Sequence, residues 1–302
     1  MKIILLFGPT AVGKTELISR FFQKNYEIIN ADSLQVYQTL DIGTAKPSAE
    51  LMNHIPHHLI DIISPKDQFH AGEFVRLADS LALDITNRGK IPVICGGTAF
   101  YFRNYLYGLP EIPEIDISFR EKLNFELQTI GIKYLYNELE KLDPERAKKI
   151  HPNDKYRIVR SLEIIRGSGT VQSKFKPSEN LRSGITPLII GLERDRTELY
   201  KRVNQRVDEM FESGFLKEVK HCFEQGLEET DPGMQGIGYR EFFLMNRRGD
   251  ITISDVKDLI KMNSRRYAKR QITFFKSLPD VKWVHPDDVD LIRDEIMCFL
   301  QR

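Results

Sequence analysis

The stretch GPTAVGKT, at residues 8–15, matches the G-x-x-x-x-G-K-T pattern of a phosphate-binding loop. It follows the apolar run IILLF at residues 3–7 and precedes the helix-like segment ELISRFF at residues 16–22. This strand–loop–helix setting is the one that the pattern requires, because backbone N–H groups and the helix start then point toward phosphate oxygens. The spacing therefore predicts a phosphate site in which Lys14 supplies a positive charge and the Thr15 hydroxyl binds Mg²⁺.

Three more apolar runs bounded by turn residues follow, at residues 26–29, 91–95 and 187–192, with helix-length segments between them. Short apolar runs of this kind are typical of buried parallel strands. With the first strand they predict an α/β fold, a P-loop NTPase-like core in which helices flank a parallel sheet. The phosphate site is expected at the carboxyl ends of the strands.

Residues 117–167 offer no strand pattern and are rich in helical patterning, as in FREKL and YLYNEL. We therefore predict an all-helical insertion domain within the α/β core. The expected division is a first part of the core at 1–115, the insertion at 116–183, and a second part of the core at 184–302 that carries a basic C-terminal helix.

The overall charge is balanced, with 44 Lys and Arg against 43 Asp and Glu and a net charge of +1. Any basic surface that binds nucleic acid must therefore be local. The three cysteines, Cys95, Cys222 and Cys298, lack metal-site spacing and suit reduced thiols in a cytosolic protein. No apolar stretch approaches the roughly 20 residues of a membrane span. We expect a soluble cytoplasmic monomer with no membrane association.

Four histidines, His54, His57, His58 and His70, lie close together in the sequence, which makes a metal site conceivable. Only His54 and His58 have the i,i+4 spacing of a helical metal site, and Pro56 between them would break the helix. Ordinary structural histidines are therefore the favoured interpretation.

Asp32 follows the second predicted strand at its carboxyl end, beside the phosphate loop. An acid in this place either organises Mg²⁺ or takes a proton from a nucleophile. Asp is also a preferred residue at helix starts, so a simple capping role stays open from the residues alone.

Residues 257–276 contain seven Lys or Arg and one acid, Asp258, although the whole chain is balanced. At about 100° per residue, one face of a helix here collects Arg265, Arg266, Lys269 and Arg270. The opposite face is expected to hold Ile260, Tyr267, Ala268, Phe274 and Phe275. Such a basic stripe is often only a solvated surface, but beside the other motifs it favours binding to a nucleic-acid backbone.

Seven segments, in order, resemble the bacterial tRNA dimethylallyltransferases, the tRNA isopentenyltransferase family, and the resemblance covers nearly the whole chain. They are GPTAVGKT, ADSLQVYQTLDIGTAKP, GGTAFYFRNYLYGL, DPERAKKIHPNDKYRIVRSLE, RVNQRVDEMFESGFLKEV, GIGYREF and RRYAKRQITFF. The phosphate loop alone is shared by many ATPases and kinases, whereas the ordered set is far more specific.

The resemblance implies that the loop holds the diphosphate of dimethylallyl diphosphate and that no phosphoryl group moves. The five-carbon group passes instead to N6 of an adenosine beside the anticodon, normally position 37 of the tRNA, and diphosphate leaves. The implied partners are dimethylallyl diphosphate and the tRNA anticodon stem-loop, which the helical insertion would contact, and the implied cofactor is Mg²⁺. Loop N–H groups, Lys14 and Mg²⁺ would stabilise charge on the leaving group, and Asp32 would accept the amine proton.

The site residues that the resemblance implies fall into three sets. The catalytic set is Thr10, Lys14, Asp32 and Arg206. The diphosphate set is Gly8, Pro9, Thr10, Ala11, Val12, Gly13, Lys14 and Thr15, with Thr15 as the Mg²⁺ ligand. The tRNA set is Asp32, Ser33, Leu34, Gln35, Thr98, Arg120, Tyr156, Arg157, Arg160, Gln235, Gly236, Gly238, Tyr239 and Arg240, together with Arg266, Lys269 and Arg270 of the basic stripe.

Arg206 owes its place to the resemblance. From the residues alone, a surface ion pair on its helix, in a group with Arg202 and Glu209, would be preferred for it. Arg202 is the second choice for an arginine that reaches the diphosphate.

The chain departs from the family pattern at two places. Residues 169–174 read GTVQSK where the family usually has GKPLS, which leaves the role of residues 170–180 open, and Phe274 replaces a family tryptophan. Three rival functions remain: a prenyltransferase acting on free AMP, ADP or ATP, a small-molecule kinase, and a non-enzymatic nucleotide switch. The first would not need the insertion or the basic stripe, the second predicts an arginine-rich lid, and the third a guanine-reading motif.

Overall fold

The computed structural model describes residues 1–175 and 178–301. Two compact units are present, one formed by Met1–Leu106 with Ser183–Arg302 and the other by Tyr107–Arg182. The first unit begins with β1 (Lys2–Phe7), α1 (Lys14–Phe21), β2 (Tyr26–Ala31), α2 (Ala49–His54), β3 (His57–His58), α3 (Ala71–Asn87), β4 (Ile91–Gly96) and α4 (Ala99–Tyr107).

The second unit contains α5 (Ile117–Thr129), α6 (Ile132–Leu142), α7 (Pro144–Ala147) and α8 (Lys155–Ser168). The first unit then resumes with β5 (Thr186–Leu192), α9 (Arg196–Glu212), α10 (Phe215–Glu224), α11 (Arg240–Arg248), α12 (Ile253–Phe275), β6 (Lys282–Val284) and α13 (Val289–Gln301). Short 3₁₀ turns lie at Gln172–Lys174 and Pro232–Gln235.

The first unit is built on a parallel six-stranded sheet with the order β3-β2-β4-β1-β5-β6. Its central strands are buried nearly throughout, which explains their continuous apolar runs. The carboxyl ends of β1, β2 and β4 lead directly into the phosphate loop, Asp32 and Gly97. Gly96 pairs with Ala31 so closely that an added Cβ would lie 2.2 Å from the Ala31 carbonyl oxygen. This close pairing sets the segments after β2 and β4 side by side.

The predicted fold class is confirmed, and each of the four predicted strands is present in the sheet. The edge strands β3 and β6 were not predicted. Two and three residues long, respectively, they contain His or Lys, so neither shows the apolar run that identifies a buried strand.

Helix α12 packs its apolar side directly against the centre of the sheet. The ring of Phe275 stacks on Phe7 at the end of β1, with centroids 4.1 Å apart, and Phe102 of α4 meets both rings edge-on. Stacked and edge-on aromatic contacts hold their partners in defined orientations. The end of β1, where the phosphate loop begins, is thereby fixed to α4 and α12.

The second unit has its own hydrophobic core, formed by Leu123, Leu135, Leu139, Ala147, Ile150, Ile158, Val159 and Leu162. Arg166 of α8 forms bidentate hydrogen bonds with Glu126 of α5 and also bonds Glu138 of α6, which joins three helices. The segment before α5 belongs to this unit, where Ile115 packs against Gly167. The domain boundaries given by the sequence stay a prediction. In residues 1–175 and 178–301, no helix is long and apolar enough to cross a membrane.

Candidate active site

The phosphate loop joins β1 to α1, and its backbone geometry depends on its small residues. Gly13, just before α1, has φ 116°, a left-handed conformation that suits glycine, and Ala11 has φ 63°.

The ammonium of Lys14 donates hydrogen bonds to the carbonyl oxygens of Gly8 and Pro9, both at 2.9 Å. Burial lowers the pKa of Lys14 to about 8, against the opposing effects of nearby Cys95 and Asp32. Lys14 is therefore still mainly a cation at neutral pH.

A pocket of about 860 Å³ lies over this loop. Its volume is in the range of small-molecule sites. Of the predicted site residues, those that line it are Thr10, Ala11, Val12, Gly13, Lys14, Thr15, Asp32, Ser33, Leu34, Gln35, Arg206, Gln235, Gly236, Arg240 and Arg270. Gly8, Pro9, Thr98, Gly238, Tyr239, Arg266 and Lys269 belong to the same unit but are not among the lining residues. Apolar side chains that were not predicted, such as Phe69, Met210 and Ile260, complete the wall.

Asp32 follows β2 and lies half-buried in the pocket. Its Oδ1 accepts a hydrogen bond from the Leu34 N–H at 2.9 Å, which caps a turn rather than a helix. Its Oδ2 makes no hydrogen bond with any other part of the chain that the structure describes. The capping role left open by the sequence therefore uses one oxygen of Asp32 and leaves the other without a hydrogen bond to the described residues.

Arg206 comes from α9 and meets the phosphate loop from the opposite side. Its guanidinium donates to Thr10 Oγ1 at 2.7 Å and to the Thr44 carbonyl oxygen at 3.2 Å. No carboxylate forms an ion pair with it among residues 1–175 and 178–301, so the surface ion pair that the residues alone favoured is wrong. Burial lowers the pKa of Arg206, which Asp32 and Glu209 oppose, yet an arginine stays charged in proteins. A half-buried cation without a direct ion-pair partner favours an anionic ligand.

Two other arginines hold the outer side of the loop. Arg202 donates to the Ala11 carbonyl oxygen at 2.9 Å and pairs with Glu16. Arg194 donates to the Val12 carbonyl oxygen at 2.8 Å and pairs with Glu198 and Asp287. Both guanidinium groups therefore already bond carbonyl oxygens and pair with carboxylates of the protein, which makes Arg206 the better candidate for a ligand contact.

Gln271 of α12 links two loops at the base of the pocket and was not singled out from the sequence. Its Oε1 accepts from the Thr10 N–H at 2.9 Å, and its Nε2 donates to the Gly97 carbonyl oxygen at 2.7 Å. The side chain is only 4% exposed. The segment RRYAKRQITFF was the one available signal, but nothing local to it indicates a contact with residue 10.

Thr98 lies beside the pocket rather than in its wall. Its Oγ1 accepts from the Ser33 N–H at 2.9 Å, and its own N–H donates to the Ala31 carbonyl oxygen at 3.1 Å. Thr98 therefore orders the segment that begins at Asp32, and its predicted contact with tRNA stays a prediction.

Residues 235–240 differ in how far they are exposed to solvent. Gln235 and Arg240 are exposed, whereas Gly236 packs against Leu34 with no space for a Cβ. Tyr239 is completely buried, and its hydroxyl donates to Glu218 at 2.7 Å. The Tyr239 side chain therefore packs into the protein interior, and its predicted part in tRNA binding stays a prediction.

The basic stripe on α12 divides into two parts. Lys257 and Lys261 both pair with Asp208, and Arg265 bonds Asn204. Arg266, Lys269 and Arg270 are exposed and, with Thr273 and Phe274, surround a surface depression of about 450 Å³. Phe274 was predicted on the opposite, apolar face, but it lies four residues after Arg270 and so is next to it on the helix surface. The exposed basic face consequently includes an aromatic ring.

The remaining predicted tRNA-binding residues belong to the second unit. Arg120 and Arg160 both pair with the buried Glu163, at 2.9 and 2.7 Å, and Arg157 pairs with Asp154 at 3.2 Å. Tyr156 is 70% exposed.

In the segment that departs from the family pattern, Gln172 accepts a hydrogen bond from the Ser161 hydroxyl and the Ser173 N–H donates to Asp143. Lys176 and Pro177 lie outside the described residues.

Comparison with known proteins identifies the family of this chain. The sequence model described as IPP transferase matches residues 35–278, and the one described as Isopentenyl transferase matches residues 1–62. The chain belongs to the IPP transferase family. The resemblance seen in the sequence is thereby confirmed.

Relatives in this family match along nearly the whole chain. The tRNA dimethylallyltransferase of Borrelia turicatae is 42% identical over 287 residues, 95% of each chain. The solved tRNA isopentenylpyrophosphate transferase of Bacillus halodurans has 36% identity and a TM-score of 0.71, covering 99% of this chain and 97% of its own. A eukaryotic dimethylallyltransferase, solved acting on tRNA, has 29% identity and a TM-score of 0.74, covering 94% of this chain and 74% of its own.

Proposed function

We propose that this chain is a tRNA dimethylallyltransferase. It transfers the dimethylallyl group from dimethylallyl diphosphate to N6 of adenosine 37 beside the anticodon and releases diphosphate. The single observation that carries the proposal is the convergence of the phosphate loop, Asp32 and Arg206 on one pocket. The names of the relatives support the same function.

The leaving diphosphate would be held between the phosphate loop and Arg206. Negative charge grows on the departing oxygens as the allylic C–O bond weakens, so donors already fixed around that position lower the barrier. Lys14, the loop N–H groups and the guanidinium of Arg206 are such donors. Thr10 would orient Arg206 through the hydrogen bond between their side chains.

Asp32 would accept the proton from the adenine amine, whose lone pair is delocalised and therefore weakly nucleophilic. Its Oδ1 is fixed by the Leu34 N–H, which leaves Oδ2 to face the incoming base. Ser33, Leu34 and Gln35 line the same pocket and would contact the flipped base.

Mg²⁺ would be held mainly through the substrate. No group of three or more His, Cys, Asp or Glu side chains suited to a metal occurs in residues 1–175 and 178–301. Mg²⁺ commonly uses one or two protein oxygens together with substrate phosphates. Thr15 lines the pocket and its hydroxyl is of the type that fits this role, and the ion would supply further charge stabilisation on the diphosphate.

The tRNA would be held by the exposed basic face of α12, by Gln235 and Arg240, and by residues of the helical unit. The enzyme would act as a monomer, and a tRNA substrate is consistent with a cytoplasmic location.

The test uses purified protein, Mg²⁺ and radiolabelled dimethylallyl diphosphate, with unmodified tRNA in one reaction and AMP or ATP in another. The Asp32→Asn variant keeps an acceptor for the Leu34 N–H but cannot act as the base. We expect label in tRNA alone, at least about 100-fold less with Asp32→Asn, and full activity with the control Asp258→Asn on the exposed side of α12. Label in the free nucleotide, or consumption of ATP without prenyl transfer, would overturn the proposal.

A further inference from the structure

Glu218 of α10 is the centre of an unusual cluster of hydrogen bonds outside the pocket wall. Its carboxylate accepts from three successive backbone N–H groups, those of Asp41, Ile42 and Gly43, at 2.9, 2.7 and 3.0 Å. The Tyr239 hydroxyl donates a fourth bond at 2.7 Å. Hydrogen bonds to an ionised carboxylate are stronger than neutral ones, so the turn at residues 41–43 is bound firmly to α10.

Packing fixes the same turn from the side. A Cβ on Gly43 would lie 2.4 Å from the Tyr239 hydroxyl oxygen and 2.5 Å from the Phe215 ring, so this position accepts only glycine. Phe215 and Tyr239 are both fully buried. The turn can therefore occupy only the place that Glu218 and these two rings define.

The next residue connects this turn to the pocket. The carbonyl oxygen of Thr44 accepts from Gln35 Nε2 at 3.1 Å and from the Arg206 guanidinium at 3.2 Å. Gln35 also donates to the Ala45 carbonyl oxygen at 3.1 Å. One backbone carbonyl thus orients the side chains expected to face the base and the diphosphate.

We propose that Glu218 is a positioning residue for prenyl transfer, acting through the turn at 41–44 on Gln35 and Arg206. The expected effect of Glu218 on kcat rests on the proposed function. Glu218 touches neither substrate. It sets the place of the carbonyl to which both pocket side chains are bonded.

The direct test is Glu218→Gln, which keeps the size of the side chain but removes its charge and adds a donor where N–H groups point. The matched control is Glu224→Gln, on the exposed end of the same helix, where Glu224 pairs with Lys220. We expect Glu218→Gln to lower kcat with tRNA by about tenfold or more, and to weaken binding of inorganic diphosphate. Glu224→Gln is expected to match the parent in both.

Two further measurements separate positioning from general loss of structure. Amide hydrogen exchange should become faster at residues 41–43 in Glu218→Gln and stay unchanged in the core strand β1. In a double-mutant cycle with Arg206→Lys, the two losses in kcat should be clearly less than multiplicative, because both variants disturb the same contact.

Unchanged exchange at 41–43, or losses in the cycle that multiply in full, would overturn the role of Glu218. If the parent protein transfers no prenyl group to tRNA, the proposed function fails instead. Amide exchange and diphosphate binding then still decide whether Glu218 positions the turn and Arg206.

Discussion

Gln271 satisfies two backbone groups at once, the part-buried Thr10 N–H and the buried Gly97 carbonyl oxygen. A buried backbone group left without a partner costs about 1–3 kcal/mol, so the loss of this side chain affects two loops together. Because the Thr10 N–H belongs to the phosphate loop, we expect Gln271 to set the loop's shape before substrate binds.

We predict that Gln271→Met lowers the free energy of unfolding by roughly 2–4 kcal/mol, since methionine fills the space but forms neither hydrogen bond. The KM for dimethylallyl diphosphate should rise as the loop relaxes. Urea unfolding and initial rates measure the two effects. The control Gln225→Met, at an exposed position after α10, should change neither, and a stable variant with unchanged KM would contradict this account.

The sequence was informative about residues whose roles depend on neighbours in the chain. Lys14, Thr15 and Asp32 could be placed because the loop, its helix and the strand ends are local patterns. Arg206 and Gln271 bond Thr10 from 196 and 261 positions away, and no local pattern reports such a contact. For the same reason Tyr239 could not be distinguished from an exposed aromatic residue until its packing was known.

Helix α12 has two functions on its two sides. Its apolar side fixes the end of β1 through Phe275, while Arg266, Lys269 and Arg270 stay exposed around Phe274. The amphipathic pattern and the basic stripe were both apparent in the sequence. The division of that stripe was not, since Asp208, which pairs with both Lys257 and Lys261, lies on α9.

We predict that the double variant Arg266→Gln/Lys269→Gln weakens tRNA binding and reduces the slope of log K against log salt by about two, because each phosphate contact contributes about one unit. Binding titrations of unmodified tRNA at several salt concentrations measure the slope. Lys257→Gln removes a charge that already pairs with Asp208 and should change the slope by less than about one. An unaltered slope in the double variant would exclude this face from RNA binding.

The two ends of the sheet differ in how their charged side chains are paired. The carboxyl ends of the strands carry the pocket, where Arg206 has no ion pair with a carboxylate of the described residues. Toward the amino end of β2, Glu27 is 1% exposed and bonds Arg88, Lys90 and His58. Burial alone would raise the pKa of Glu27, but these hydrogen bonds outweigh it and lower the pKa to about 2. This end of the sheet therefore contributes stability.

We predict that Glu27→Gln lowers the free energy of unfolding near neutral pH by about 3 kcal/mol. Because folding lowers the pKa of the Glu27 carboxyl from its ordinary value of 4.5, this group stabilises the fold fully at pH values above 4.5. The stabilisation is lost as the pH falls toward 2. The difference between parent and variant should therefore shrink across this range. Urea unfolding at several pH values tests it, and Glu73→Gln, in the exposed pair with Arg76, should cost at most about 1 kcal/mol.

The order of the strands also has a consequence for synthesis on the ribosome. β1 pairs with β4 on one side and with β5 on the other, and the whole helical unit is translated between β4 and β5. The second edge of β1 therefore stays open for on the order of ten seconds at usual elongation rates. An open apolar strand edge attracts other chains. Nascent chains that stall within the helical unit should consequently be the ones that depend most on chaperones.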